Sequence, residues 1–210
     1  MSRFIALDFE TSGLDPNRHA PVSIGIAIFE DGHPTGESLE GLIGPTTHWK
    51  TGKVEREYTV AALEVSGIKW ADIKKAAHPK AVVADIATWA KMFGCSDLPI
   101  VAFNAPFDFA FYSQLLYMAS DWHPTERGVK IQPVPPLCGP WYCAKMLARR
   151  ELDLSNYSLD DVAARFGLAR ESEKHSALED AVLAGRVFHA LSGVAASQFI
   201  TAGTAPEGGE

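Results

Sequence analysis

Residues 4–10 read Phe-Ile-Ala-Leu-Asp-Phe-Glu, an apolar run that closes on two acids. Apolar residues fill both faces early in the run, as in a strand buried on both sides. A strand repeats every second residue, so Asp8 and Glu10 point to the same face. Two carboxylates on one face at the end of a buried strand repel each other and lose hydration, and both effects need compensation. Either a divalent cation supplies it, or both acids lie past the strand end in solvent.

The rest of the chain supplies a frame for such a strand. Thr11-Ser12-Gly13 and Asp15-Pro16-Asn17 form a turn cluster, and Val22 to Phe29 reads as a second strand. Asp31-Gly32 is a hairpin signal leading into a third strand at about Glu37 to Ile43. Short helical pieces are expected around 59–65 and 70–76. Pro79 opens a firmer helix with Val82, Val83, Ile86, Trp89, Ala90 and Phe93 on one face and Gly94 as its stop. Pro99 to Phe103 is a short apolar strand, and a helix follows from about Phe107 to Ala119. Five prolines between residues 120 and 142 mark a long connection. Helices resume from near Cys143 to Glu151 and from Leu159 to Phe166, the second capped by Ser158 with Asp161 three residues on. A last helix starts near His175 or Ser176 and runs to about Leu191, followed by a Gly-rich tail, residues 194–210, that is expected to be flexible. This order predicts an α/β domain over residues 1–193, with a mixed β-sheet and helices on both faces.

With 210 residues, 47% of them hydrophobic, the chain has material for one sizeable core. A net charge of −7 excludes a strongly basic nucleic-acid coat and a polybasic membrane binder. The charge is uneven, since residues 1–48 set Arg3 and Arg18 against seven acids while residues 49–95 carry eight basic residues. An acidic chain can still handle a polyanion if its carboxylates hold divalent metal ions. No apolar run approaches the ~18 residues that span a bilayer, and the N-terminal apolar segment is too short for a signal peptide. Cys95, Cys138 and Cys143 stand in no metal-ligand spacing, so a reduced, cytoplasmic protein is the simplest reading.

Further acids sit in apolar surroundings. Asp108 lies in Phe107-Asp108-Phe109-Ala110-Phe111, where on its own it reads as a helix N-terminal acid serving the macrodipole. Asp180 stands between Ala177 and Ala181 on the packing side of the last helix, so it faces inward with room beside it. His175 precedes it by five residues. Five residues turn a helix by about 140°, so the ring can reach the same site only from a turn before the helix. As a set, these acids come from a strand end, a helix start and a final helix, with a histidine beside them. Hard oxygen ligands select Mg²⁺ or Mn²⁺. Two such ions stabilise the attacking and leaving oxygens of a phosphodiester, and histidine can take the proton of the attacking water.

Asp8-Phe9-Glu10-Thr11-Ser12-Gly13-Leu14 resembles the first motif, D-x-E-T-[TS]-G-L, of the DnaQ-like DEDDh exonuclease family. Asn104-Ala105-Pro106-Phe107-Asp108-Phe109-Ala110-Phe111 resembles the second, N-A-x-F-D-x-x-F. Tyr157 to Gly167, followed by His175-Ser176-Ala177-Leu178-Glu179-Asp180, resembles the third, which ends in H-x4-D. The similarity runs in order over about residues 3–191. The family includes proofreading subunits of bacterial polymerases, ribonuclease T and oligoribonuclease.

The resemblance implies a ribonuclease H-like fold, a pair of Mg²⁺ or Mn²⁺ ions and 3′→5′ removal of mononucleotides. It makes Asp8, Glu10, Asp108 and Asp180 the metal ligands and His175 the general base. Thr11 and Leu14 match positions that contact the terminal nucleotide, and Asn104 and Phe107 match positions that line the site. Ordinary packing is the alternative for Leu14 and Phe107. Ser176 stands where a related subclass has tyrosine, and Phe103 where many relatives have histidine. Segment 120–142 is longer than the family needs. Within it, Trp122, Trp141 and Tyr142 either stack on unpaired bases or, the favoured reading for Trp141 and Tyr142, seal the core. The implied partner is nucleic acid with a free 3′ end, with single-stranded or frayed DNA ahead of RNA. A polymerase partner and a homodimer stay open. All five catalytic-type residues are present, which weighs against a silent scaffolding module.

Overall fold

The structure, a computed structural model, describes residues 2–47, 51–122, 130–131, 133–170 and 175–203; the side chains of 121–122, 130–131 and 194–203 lie outside the description. Its frame is a five-stranded mixed sheet in the order β3-β2-β1-β4-β7. Strands β1 (Arg3–Thr11), β2 (Pro21–Glu30) and β3 (His33–Leu42) pair antiparallel. Strands β4 (Ile100–Ala102) and β7 (Trp141–Cys143) extend the sheet in parallel beyond β1. A separate two-stranded pair, β5 (Asp121–Trp122) and β6 (Lys130–Ile131), falls in the Pro-rich connection.

Local signals act where the chain places them. Asp31 and Gly32 adopt φ of 48° and 86°, the doubly positive turn whose twist matches a hairpin. That tight turn starts β3 at His33, earlier than its apolar pattern suggests. Helix α1 (Val60–Ser66) is capped by Thr59, whose side chain accepts the Ala62 N–H, and α2 (Trp70–Ile73) is a single turn. Helix α3 (Pro79–Met92) begins on its proline and ends before Gly94 in the left-handed region. Helix α4 (Ala105–Met118) follows β4 directly. Helices α5 (Ala144–Glu151) and α6 (Leu159–Ala164) come next, with Ser158 capping α6 by accepting the Asp161 N–H. The last helix, α7, spans Ala177–Gly203 and continues past the expected end at Leu191. Ala195 and Ala196 follow Gly193 closely, and strong helix formers outweigh one glycine.

The sheet is covered on both faces, as the sequence predicts. Ile5, Leu7 and Phe9 of β1 join Ile24, Ile26 and Ile28 of β2 against Val82, Val83, Ile86 and Trp89 of α3 and Phe111 and Leu115 of α4. On the opposite face Phe4, Ala6, Ala27 and Phe29 meet Ala181, Ala184, Val187 and Phe188 of α7, with Ala144, Ala148 and Val162 behind them. Fully burying each large side chain contributes about 1.5–3 kcal/mol, so these two layers dominate the stability of the fold. The end of the expected long connection is a three-residue strand, β7, because Trp141–Cys143 pair with β4. Alternation along β7 parts its aromatic pair. Trp141 packs against Phe109 and Tyr112, with ring centroids 5.5 and 5.9 Å apart. Tyr142, on the other face, is still 39% exposed beside Phe188, so it does not seal the core.

Candidate active site

The site forms where β1 leaves the sheet. Asp8 pairs with Gly25 and Glu10 with Ser23, and a register irregularity between Glu10 and Thr11 comes just before the last pair of the ladder, Thr11 with Pro21. Both acids therefore project from the α7 face of β1, next to the first turns of that helix. Asp180 comes down from α7, and ligand oxygens of Asp8, Glu10 and Asp180 all lie within 4.8 Å of one another. Asp108, in the first turn of α4, is not among the acids within that distance and acts on Asp8 through its charge. It is 3% exposed, and the Phe9 N–H donates to its Oδ1 at 3.3 Å. His175 lies ahead of α7, and its Nδ1 is 3.4 Å from Asp180 Oδ2. The ring thus reaches the site from the turn before the helix.

Burial and mutual repulsion both act on these carboxylates. Burial, followed by the charges of Asp108, Asp180 and Glu10, pushes the Asp8 carboxyl well above the usual range, against a smaller opposite effect of Arg170. Burial and Asp180 raise Glu10, while His175 and Arg170 lower it. Burial pushes Asp108 up to about 8, although the Phe9 N–H bond favours its charged form. The donors are all carboxylate oxygens, and burial, with repulsion between neighbouring acids, works against their charged form. The residues therefore fit a hard divalent cation, which takes such ligands and removes that cost.

Arg170 was not anticipated. Its Nε and Nη2 donate to Asp180 Oδ1 and Oδ2 at 2.5 and 3.1 Å, and its Nη1 pairs with Asp160. Its fork holds both oxygens of one of the clustered carboxylates, the bidentate geometry that arginine favours. Ser12, within the first motif, is fully buried, a bracing role that the sequence did not assign to it. Its hydroxyl donates to Glu57 O at 2.6 Å and accepts the Ala20 N–H at 2.8 Å, tying the turn after β1 to the chain before α1. The turn cluster Thr11-Ser12-Gly13 is the one sequence signal that pointed there.

The remaining expected residues divide. Thr11 Oγ1 donates to Gly13 O at 2.8 Å, which fixes the turn. Leu14 is 83% exposed, so core packing does not account for it. Phe107 packs on Phe111 with ring centroids 4.8 Å apart and is partly buried against the core, which favours its packing alternative. Asn104 is exposed at the start of α4, where its carbonyl accepts the Phe107 N–H at 2.8 Å. The Trp122 side chain lies outside the described residues.

A mixed sheet with acids converging at the end of its central strand defines a nuclease of the ribonuclease H-like class. The chain matches the family model RNase_T, described as Exonuclease, over residues 5–188. It therefore belongs to this exonuclease family, of the DEDDh, DnaQ-like type. It is 29% identical over 187 residues to the PolC-type DNA polymerase III of Thermotoga petrophila, covering 88% of this chain but 11% of that polymerase. It is also 29% identical over 199 residues to the DNA polymerase III subunit epsilon of Rickettsia prowazekii, covering 94% of this chain and 77% of that subunit. Among solved structures, the nuclease domain of 3′hExo, a DEDDh family member bound to rAMP, superposes with a TM-score of 0.69 at 12% identity, covering 91% of this chain and 92% of that one. Among the described residues no helix is long and apolar enough to cross a membrane.

Proposed function

We propose that this chain removes mononucleotides from the 3′ end of single-stranded or frayed DNA, with Asp8, Glu10, Asp108 and Asp180 holding two Mg²⁺ or Mn²⁺ ions and His175 as general base. The observation that carries this reading is the convergence of Asp8, Glu10 and Asp180 oxygens within 4.8 Å, with a histidine nitrogen 3.4 Å from Asp180. When bound, divalent ions at such a site stabilise the attacking and leaving oxygens of a phosphodiester.

The chain's own residues account for the rest. In the tautomer that donates from Nδ1 to Asp180, His175 keeps a lone pair on Nε2. That nitrogen accepts a proton from the attacking water, whose oxygen bonds to phosphorus as the P–O bond to the retained strand breaks, and the departing 3′ oxygen takes a proton from solvent to become a hydroxyl. The His175 side chain is 42% exposed, so the proton can pass on to solvent. Thr11 contacts the terminal nucleotide through backbone atoms, and the exposed Leu14 wedges against its base. A short grip on a few terminal nucleotides suits a chain of net charge −7 better than a long duplex would. Residues 1–193 form the catalytic unit in this reading, and the free cysteines suit a reducing cytoplasm.

The relatives named as DNA polymerase III support DNA over RNA. The test is a matched pair of 5′-labelled single strands, DNA and RNA, incubated with Mg²⁺ or Mn²⁺. The reading expects a descending ladder that runs faster on DNA. A faster RNA ladder would make the chain an exoribonuclease, and no ladder on either strand would overturn the assignment of activity to the isolated chain.

A further inference from the structure

The sheet surface beneath α7 tapers toward the site. Its cross-strand pairs are Phe4 with Phe29, Ala6 with Ala27, Asp8 with Gly25 and Glu10 with Ser23. At the thick end the Phe4 and Phe29 rings stack at 4.9 Å, and Phe188 of α7 meets Phe4 edge-on at 5.6 Å. One step along, the helix comes closer: a Cβ on Gly185 would lie 2.6 Å from the Phe29 ring and 3.1 Å from Ala6 Cβ. At Gly25 the backbones themselves touch. A Cβ there would lie 2.2 Å from Ala177 C and Leu178 N and 2.4 Å from Ala177 O, where ordinary contact begins at 3.4 Å.

We propose that this taper sets the tilt of α7, and that Gly25 is a positioning residue for the metal site. Large rings hold the far end of the helix off the sheet, and a missing side chain lets its first turn down onto β2. Asp180 stands one turn after Ala177, and Asp8 is the cross-strand partner of Gly25. The close approach therefore brings these two carboxylates together. Any side chain at 25 drives the first turn of α7 outward by roughly 1 Å, because backbone atoms cannot turn aside as a ring can. Ligand distances around a small divalent ion tolerate about 0.2 Å, so the cost falls on metal binding beyond any loss of stability.

This inference rests on the metal reading of the site. The test titrates Mn²⁺ alone into the full chain by calorimetry and follows melting in EDTA. Gly25→Ala should fold and bind Mn²⁺ about tenfold or more weaker. Gly185→Ala, which presses on a movable ring, should lower the melting temperature while Mn²⁺ affinity stays within about twofold. A folded Gly25→Ala protein with wild-type affinity overturns the proposal, and so does an equal loss of affinity in Gly185→Ala. If Gly25→Ala does not fold, Ala27→Val thickens the next step of the taper. A folded Ala27→Val protein should then show the same loss, and unchanged affinity overturns the proposal. Wild type that takes up no Mn²⁺ would instead sink the metal reading itself.

Discussion

Replacing Asp108 by asparagine should stabilise the metal-free protein at alkaline pH while abolishing hydrolysis. Asp108 is 3% exposed, and burial pushes its carboxyl from 3.8 to about 8. The native state therefore keeps a proton that the unfolded chain gives up. Its contribution to stability is complete below about pH 4 and is lost as pH rises toward 8. At about 1.4 kcal/mol per pH unit, the loss across that window is on the order of 5 kcal/mol. For a chain of this size that corresponds to roughly 10 °C or more in melting temperature between pH 5 and pH 8. Asparagine keeps an oxygen to accept the Phe9 N–H and has no charge to bury. Asp8 and Glu10 are raised for the same reason, so a shallower decline should remain in the variant. The assay is thermal melting in EDTA from pH 5 to 9, wild type beside Asp108→Asn. Parallel pH profiles, or a variant less stable than wild type at pH 8, would refute the reasoning.

Three other substitutions probe separate parts of the site. Arg170→Gln removes the guanidinium that forks onto Asp180, so it should cost the metal-free protein about 2 kcal/mol in EDTA melting and tighten Mn²⁺ binding measured by calorimetry. Weaker Mn²⁺ binding in that variant would mean that Arg170 supports the ion instead of competing with it. His175→Ala should slow hydrolysis about 10²- to 10⁴-fold with Mn²⁺ affinity retained, and loss of that affinity would make His175 a ligand. Leu14→Ala, at a position 83% exposed, should change stability by less than about 0.5 kcal/mol while raising KM for oligonucleotides; an unchanged KM would remove Leu14 from the substrate contacts.

The acids were legible in the sequence because each sits where a carboxylate is out of place. Asp8 and Glu10 close an apolar strand, Asp108 interrupts a run of phenylalanines, and Asp180 stands among alanines. His175 was legible from spacing, given a helix that starts after it, and α7 starts at Ala177. Arg170 was not, because it lies in the mixed run Ala169-Arg170-Glu171-Ser172-Glu173, where nothing marks which acid it pairs with. Gly25 was hidden for a different reason. Within Ser23-Ile24-Gly25-Ile26 it reads as a weak spot in a strand. The backbone that requires it, at Ala177 and Leu178, lies far along the chain. Strand β7 has three residues, too few to show a period, and becomes a strand only through β4. Helix α7 outran its apolar stripe because propensity carries a helix where packing no longer marks it.

The central claim is that the clustered carboxylates work through divalent metal on a 3′ end. The most direct test follows a 5′-labelled single strand with wild type and Asp8→Ala, in Mg²⁺, in EDTA, and after Mg²⁺ is restored. A ladder descending from the 3′ end is expected with wild type in Mg²⁺, lost in EDTA, recovered on restoration, and absent from a folded Asp8→Ala protein. Degradation that persists in EDTA, or near-normal turnover by Asp8→Ala, would contradict the account.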